Sequence, residues 1–385
     1  MSDLSQVLNE INKKYDGIVM KGSNFPKLDK IPFSSPRINY MTYGGIALGK
    51  ACELFGPENG GKTTTALDIV KNAQIKAKND YSQLISSMQT ELDELKEKNN
   101  KTDKKRIKDL ETELDELKDK GMKRVVYVDA ENTLDDEWAQ TIGVDLDELI
   151  LIKPHEQTAE QILQMILDII KSDGVILVVL DSIPMLVSQQ AFENTLEKKT
   201  YAGNSGAFSE FSNKVAQLLY RHETAFVAIN QVREDFDNPY NMYKTPGGKA
   251  LKHLFTVRLL VRKGRFIDER CQELNNSADT PAGNLVDIRV EKTKLFKPDR
   301  RLGYYTLNYS TGVDIINDTI DVAVMYDIIQ QGGSWFTVLT EKGEPMEIDG
   351  NILKFQGKPK LIDCLKSNKE VFDSVYSRVN DIVSR

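Results

Sequence analysis

A glycine-rich turn, Gly56-Pro57-Glu58-Asn59-Gly60-Gly61-Lys62-Thr63-Thr64, follows the apolar run ACELF and leads into a helix-period segment, TALDIVKNAQIKAK. The spacing matches GxxxxGK[ST], and its mechanics follow from the residue types. Glycines let successive backbone N–H groups turn toward one point, and the helix that follows adds its positive end, so the turn can cradle phosphate oxygens. Lys62 then neutralises the β- and γ-phosphates, and the Thr63 hydroxyl ligates Mg²⁺. Such a site also needs a second carboxylate for the metal and a group that positions water. Asp181 ends the apolar run VILVVLD and supplies the carboxylate, although the position also suits a helix N-cap before SIPMLV. Glu131, at the end of VVYVDAE, is the candidate general base for the attacking water. Asp129, among apolar neighbours, reads as structural.

These residues need a scaffold that brings strand ends together. From Ala51 onward, short β-rich runs (ACELF, RVVYVDA, LILIK, VILVVLD, AFVAIN) are separated mostly by polar or amphipathic helical segments. Continuous apolar strands alternating with helices imply an α/β fold whose mostly parallel sheet is covered on both faces. Ligands then gather at the carboxyl ends of the strands. Three later runs, TVRLLVRK, NLVDIRVEKTK and GYYTLNYS, have no helices between them and are expected to extend the sheet as antiparallel strands. After about Asp314 the pattern changes to amphipathic helices and short strands, as in a small C-terminal domain.

One segment breaks the alternation. TELDELKEK and TELDELKDK are near repeats with NNKT between their halves. Ile85, Met88, Leu92 and Leu95 share their spacing with Ile107, Leu110, Leu114 and Leu117, which predicts an antiparallel helical hairpin inserted over 82–120. Arms of ~16 residues would project ~24 Å. The hairpin reads equally as a solvated spacer or as a docking arm for an unidentified protein.

Composition narrows the partners. Against 51 Lys+Arg stand 58 Asp+Glu, so the net charge of −7 confines any contact with a polyanion to local basic loops. Cys52, Cys271 and Cys364 are far apart, form no zinc-ligand spacing, and read as reduced cytosolic thiols, a cytoplasmic location. No apolar run approaches the ~20 residues of a membrane span, and the N-terminus lacks a signal-peptide core. Leu4, Leu8, Ile11 and Tyr15 instead share one face of a short helix, which could dock on its own domain or on a neighbouring subunit.

In this order, the N-terminal helix, GGIALGKACELFGPENGGKTT, YVDAENTLDDEWAQTIGVDLDELI, VVLDS, AINQVR, PGGKALK, VEKTK and GSWF resemble the bacterial RecA recombinase family over nearly the whole chain. The resemblance implies a RecA-like core over 36–313, a polymerisation helix and linker over 1–35, and a small α+β domain over 314–385. It implies that Trp138 stacks on adenine and Asp135 contacts the base. It makes Gln231 the sensor of the γ-phosphate, and Lys292 and Lys294 cations that reach the ATP of the adjacent subunit. Two loops should then face DNA: 193–204, with Lys198, Lys199, Tyr201 and Gly203, and 232–248, with Arg233, Phe236, Tyr240, Tyr243, Lys244, Gly247 and Gly248. Basic residues mixed with aromatics suit a single strand, since cations hold phosphates and each ring adds ~1–3 kcal/mol by stacking.

The expected activity is that of an ATP-dependent homologous recombinase that forms filaments on single-stranded DNA, tests a homologous duplex and exchanges strands, with ATP and Mg²⁺ as cofactors. A ring-shaped DNA-translocating ATPase of the same fold and a non-catalytic recombination mediator are the rival readings. The sequence departs from the family at the hairpin, at Glu234, Asp235 and Asp237 in the second loop, at His253 where members usually carry an aromatic, and at DIVSR, which takes the place of a long acidic tail. These departures fit a phage or otherwise divergent branch.

Overall fold

The structure is a computed structural model that describes residues 4–14, 27–98, 103–193, 205–234, 243–275 and 277–383. Its centre is a nine-stranded sheet of β1 (Ala51–Gly56), β2 (Arg124–Asp129), β3 (Leu149–Ile152), β4 (Val175–Asp181), β5 (Ala225–Gln231), β6 (Val257–Ile267), β7 (Gly283–Thr293), β8 (Leu302–Asn308) and β9 (Gly312–Val313). Their spatial order is β9-β8-β7-β6-β1-β5-β4-β2-β3. Every position of β1 and of β4 is buried, which is why these strands read as apolar runs whose only charges are Glu53 in β1 and Asp181 at the end of β4.

Strand direction departs from the expectation at one place. β6 runs parallel to β1, with Val257 opposite Cys52 and Leu260 opposite Phe55, and only β7, β8 and β9 alternate in direction. The cause is a helix at Gly248–Leu254, which carries the chain back to the starting edge of the sheet before β6 begins.

The helices α1 (Leu4–Lys14), α2 (Pro36–Thr42), α3 (Lys62–Lys98), α4 (Lys104–Lys120), α5 (Asp136–Ile142), α6 (Ala159–Lys171), α7 (Gln189–Glu193) and α8 (Ser205–His222) precede that short helix, α9. On one face of the sheet Leu67 and Val70 of α3 pack with Leu54, Tyr127 and Val179. On the other, Ile162 and Ile166 of α6 and Phe211 and Val215 of α8 pack with Val126, Val178 and Phe226. α1 has no buried residue, and its Leu4 and Leu8 are exposed. A third apolar cluster, including Ile320, Phe336, Leu361 and Val375, sits among α10 (Ile315–Met325), α11 (Lys358–Ser367), α12 (Lys369–Val383) and a three-stranded sheet.

The hairpin forms, but its first arm is not a separate helix. α3 continues without interruption from the glycine turn through 37 residues, because no glycine or proline lies between Lys62 and Lys98. α4 returns along it with Leu110 and Leu114 buried and Ile107 and Leu117 half-buried, against half-buried Ile85, Met88, Leu92 and Leu95. Lys96 pairs with Glu111 at 2.8 Å, and Arg106 pairs with Glu91 at 3.0 Å. The turn at 99–102 lies outside the described residues.

Candidate active site

At the end of β1 the chain must pass close to β6. A Cβ on Gly56 would meet the Val261 carbonyl oxygen at 2.0 Å, so this position admits only glycine. Gly61 takes a left-handed φ of +93° and so turns the chain into α3. The resulting cleft of about 510 Å³ is lined by Glu58, Asn59, Gly60, Gly61, Lys62, Thr63 and Thr64 together with Glu131, Trp138, Asp181 and Gln231.

Lys62 Nζ donates to the Pro57 carbonyl at 2.6 Å. Burial lowers its pKa, opposed by the carboxylates of Asp181, Glu131 and Glu58. Thr63 Oγ1 donates to Asp181 Oδ2 at 3.0 Å, and the buried Tyr127 hydroxyl donates to the same oxygen at 2.7 Å. Burial pushes Asp181 up to about 6, against these two hydrogen bonds. A carboxylate held in this way gains from a nearby cation, and the paired Thr63 and Asp181 oxygens suit Mg²⁺, which takes one or two protein oxygens and draws its remaining ligands from phosphate and water. No cluster of three or more acidic, His or Cys ligands exists among the described residues.

The Ser182 hydroxyl donates to Glu131 Oε1 and fixes the carboxylate at the mouth of β2. Asp129 is buried and accepts from the backbone N–H groups of Thr133 and Leu134, a structural role. Trp138 is half-buried, and its Nε1 donates to Thr64 Oγ1 at 3.3 Å. Asp135 does not line the cleft: its carboxylate caps α5 by accepting from the Trp138 N–H at 2.7 Å. The cap fixes the start of the helix that carries Trp138.

Three polar lining residues escape the sequence reading, Lys263 on β6, Asn284 on β7 and Tyr309 beyond β8, as do the apolar Ile229, Val286 and Leu307. Tyr309 donates to Asn284 Oδ1 at 2.8 Å. None of these carries a local sequence signal; Asn284 is a buried polar residue at the start of β7.

Lys292 and Lys294 are not brought to this cleft. Lys292 lies opposite Arg258 and Thr293 opposite Val257, at the starting edge of β6, whereas Asn284 and Val286 line the cleft at the other end of β7. Six residues of strand separate Val286 from Lys292, roughly 20 Å. Lys292 Nζ donates to the Lys252 carbonyl and Lys294 Nζ to that of His253. Burial, then the neighbouring Lys294 and Arg258, lower Lys292 to about 8.

In the first expected DNA loop, Lys198, Lys199, Tyr201 and Gly203 lie outside the described residues, as do Phe236 and Tyr240 in the second. The second loop closes on a two-residue ladder, Arg233 opposite Lys244 and Glu234 opposite Tyr243. Lys244 is exposed, and Gly247 and Gly248 take left-handed φ values as the chain enters α9. This loop leaves the same sheet edge that carries the glycine turn.

The family model of the RecA N-terminal domain matches residues 2–95 and 110–314. The chain belongs to the RecA family. Protein RecA of Thermus aquaticus is 31% identical over 382 residues, covering 98% of this chain and 93% of that one. Protein RecA of Mycoplasmopsis pulmonis is 28% identical over 385 residues with the same coverage, and that of Chlamydia pneumoniae is 28% identical over 344 residues, covering 88% and 78%. RecA-family membership over nearly the whole length carries a recombinase role in recombination and repair. The stretch left unmatched between residues 95 and 110 is the far end of the hairpin, an addition to the RecA core.

Proposed function

We propose that the chain is an ATP-dependent recombinase whose subunits polymerise on single-stranded DNA, hydrolyse ATP between neighbours, and exchange the bound strand with a homologous duplex. The observation that carries the reading is the separation of two sets of cations. Lys62 stands in the cleft at the carboxyl edge of the sheet, and Lys292 and Lys294 stand at the opposite edge. A site that uses both sets needs two copies joined head to tail, an arrangement that propagates into a helix wherever its rotation does not close into a ring. The exposed apolar face of α1 supports this reading, because it offers each copy an arm for its neighbour.

In this reading the N–H groups of the turn and the start of α3 hold the phosphates, with Trp138 beside the base. Thr63 and Asp181 hold Mg²⁺, which when bound neutralises charge on the phosphates. Glu131, one oxygen engaged by Ser182, takes a proton from water with the other. The Gln231 amide, at the end of β5, bonds phosphate on one side and moves the second loop on the other. Lys292 and Lys294 lend charge in trans, as an arginine finger does. The separate apolar cluster beyond Asp314 supports dividing the chain into an arm and linker (1–35), an ATPase core (36–313) and a small terminal domain (314–385). No helix among the described residues is long and apolar enough to cross a membrane.

ATP hydrolysis measured with and without single-stranded DNA over a salt series, with the same samples imaged by electron microscopy, tests the proposal. DNA-stimulated turnover and helical filaments are expected. Turnover indifferent to DNA, or closed rings, would move the chain to the ring-ATPase reading. Glu131→Gln should lower turnover by ~10²–10⁴ and spare nucleotide binding. Unchanged turnover would remove Glu131 as the base.

A further inference from the structure

On the face of the sheet away from the cleft, β1 carries a charge that the nucleotide chemistry does not use. Glu53, three residues before Gly56, is 1% exposed. A carboxylate so placed costs several kcal/mol unless it is fully partnered. One of its oxygens accepts from Arg258 Nε on β6, and the other accepts from Asn230 Nδ2 on β5 at 2.8 Å. Both donors also hold the far root of the second loop. Arg258 Nη2 donates to Thr245 Oγ1 at 3.1 Å, and Asn230 Nδ2 donates to the Pro246 carbonyl at 3.0 Å.

Asn230 immediately precedes Gln231, and strand alternation sends the two side chains to opposite faces. Gln231 lines the cleft, while Asn230 grips the loop root. Asn230 Oδ1 is buried and has no hydrogen-bond partner, an unfavourable state. A second arrangement of the loop root, with a backbone N–H turned toward this oxygen, would relieve that cost.

We propose that Glu53 is a positioning residue that couples the second loop to the nucleotide cleft. Its carboxylate clamps Arg258 and Asn230, and through them ties Thr245 and Pro246 to the strand that carries the glycine turn. A loop displaced by DNA therefore pulls on β1 and on the backbone of Gln231. None of Glu53, Asn230, Arg258 and Thr245 lines the cleft, so the cluster acts on turnover only through its neighbours. The inference rests on the recombinase reading, since a loop that never meets DNA has nothing to transmit.

The test uses the full chain and a single-stranded thymidine homopolymer at saturating concentration. Wild-type protein, Glu53→Gln and Thr245→Val are compared for kcat and KM for ATP with and without DNA, for oligonucleotide affinity, and for thermal midpoint. Glu53→Gln keeps the shape and the Asn230 bond but removes the charge that holds Arg258. DNA-free turnover and KM should stay within about twofold of wild type while stimulation by DNA falls at least about fivefold. Thr245→Val cuts the tie on the loop side, preserves volume, and keeps the question open should Glu53→Gln fail to fold. Its stimulation should fall at least about threefold.

Wild-type stimulation retained in Thr245→Val, or in a folded Glu53→Gln, overturns the coupling role. So does a loss that extra DNA fully restores, because the cluster would then be a prop for DNA binding. A wild-type protein that DNA does not stimulate removes the recombinase reading itself, a result distinct from either of these.

Discussion

The two ends of α3 share one backbone and meet different solvents. Between Lys62 and Ala77, ten residues are buried, including the charged Lys62 and Asp68, whereas from 78 to 98 none is. In the first part the buried polar side chains have designated partners, Lys62 Nζ on a loop carbonyl, Thr63 on Asp181, Thr65 on Tyr305, and Asp68 Oδ2 on the Ser34 N–H, with only Asp68 Oδ1 left without one. In the second part charges pair across to α4 while half-exposed to water, as Lys96 and Glu111 do. Charge taken out of water is costly unless geometry compensates it, and charge left in water is nearly neutral to stability. Substitutions should therefore lose effect steadily from the glycine turn to the hairpin tip.

The largest effect is expected at the buried end and, on the proposed reading, reaches across subunits. Lys62→Ala and Lys292→Ala should each abolish DNA-stimulated turnover when assembled alone. Mixed in equal amounts, they should regain about a quarter of wild-type activity, since a heterologous interface pairs an intact cleft with an intact lysine in about one contact of four. Hydrolysis measured across a series of mixing ratios checks this. A mixture as inactive as its components would place both lysines' work within one subunit, against the distance between the two edges of the sheet.

The same contrast explains what could be read without coordinates. β1, β4 and β5 were legible because burial on both faces leaves continuous apolar runs, and the turn at Gly56 to Thr63 because phosphate binding dictates its residue types. The hairpin was legible from its matched seams, but its fusion to the helix after the glycine turn was not. A change from a buried to a solvated face alters the pattern without breaking the helix. The direction of β6 was hidden for another reason. A strand's composition does not encode whether its neighbour runs parallel, and the short helix that reverses the chain, Gly248–Leu254, follows a loop rich in turn residues. Lys263 reaches the cleft through the parallel pairing of β6 with β1, and Asn284 and Tyr309 through the antiparallel register of β7 and β8, long-range properties with no local spacing. Asp135, expected at the base, also caps the helix that carries Trp138, a local role its position before that helix leaves legible.

A smaller, local effect belongs to the middle of the hairpin. Leu110 is fully buried between the two arms, and its truncation to alanine should destabilise the hairpin by ~2–4 kcal/mol. Hydrogen exchange should then accelerate across 85–117 while ATP turnover and the protection of β1 stay unchanged. Loss of protection in β1 as well would mean that the two ends of α3 unfold as one unit, and the comparison of their solvents would lose its force.

The smallest effect is expected nearest the tip. Arg106 bridges Glu91 and Glu113 at 3.0 and 3.5 Å, with about half of its side chain in water. Pairs of this kind gain little in high dielectric, lose side-chain freedom, and are screened by salt over a Debye length of ~8 Å at physiological ionic strength. Arg106→Ala should leave global stability and turnover unchanged at physiological salt, with any increase in hairpin exchange confined to low salt. The apolar seam beneath the ion pairs, with Leu110 and Leu114 at its centre, would then be what holds the arms together, and the charges would serve mainly to keep an exposed rod soluble. A salt-independent loss of hairpin protection in Arg106→Ala would reverse that ranking and give the charged surface, rather than the seam, the task of setting the register of the arms.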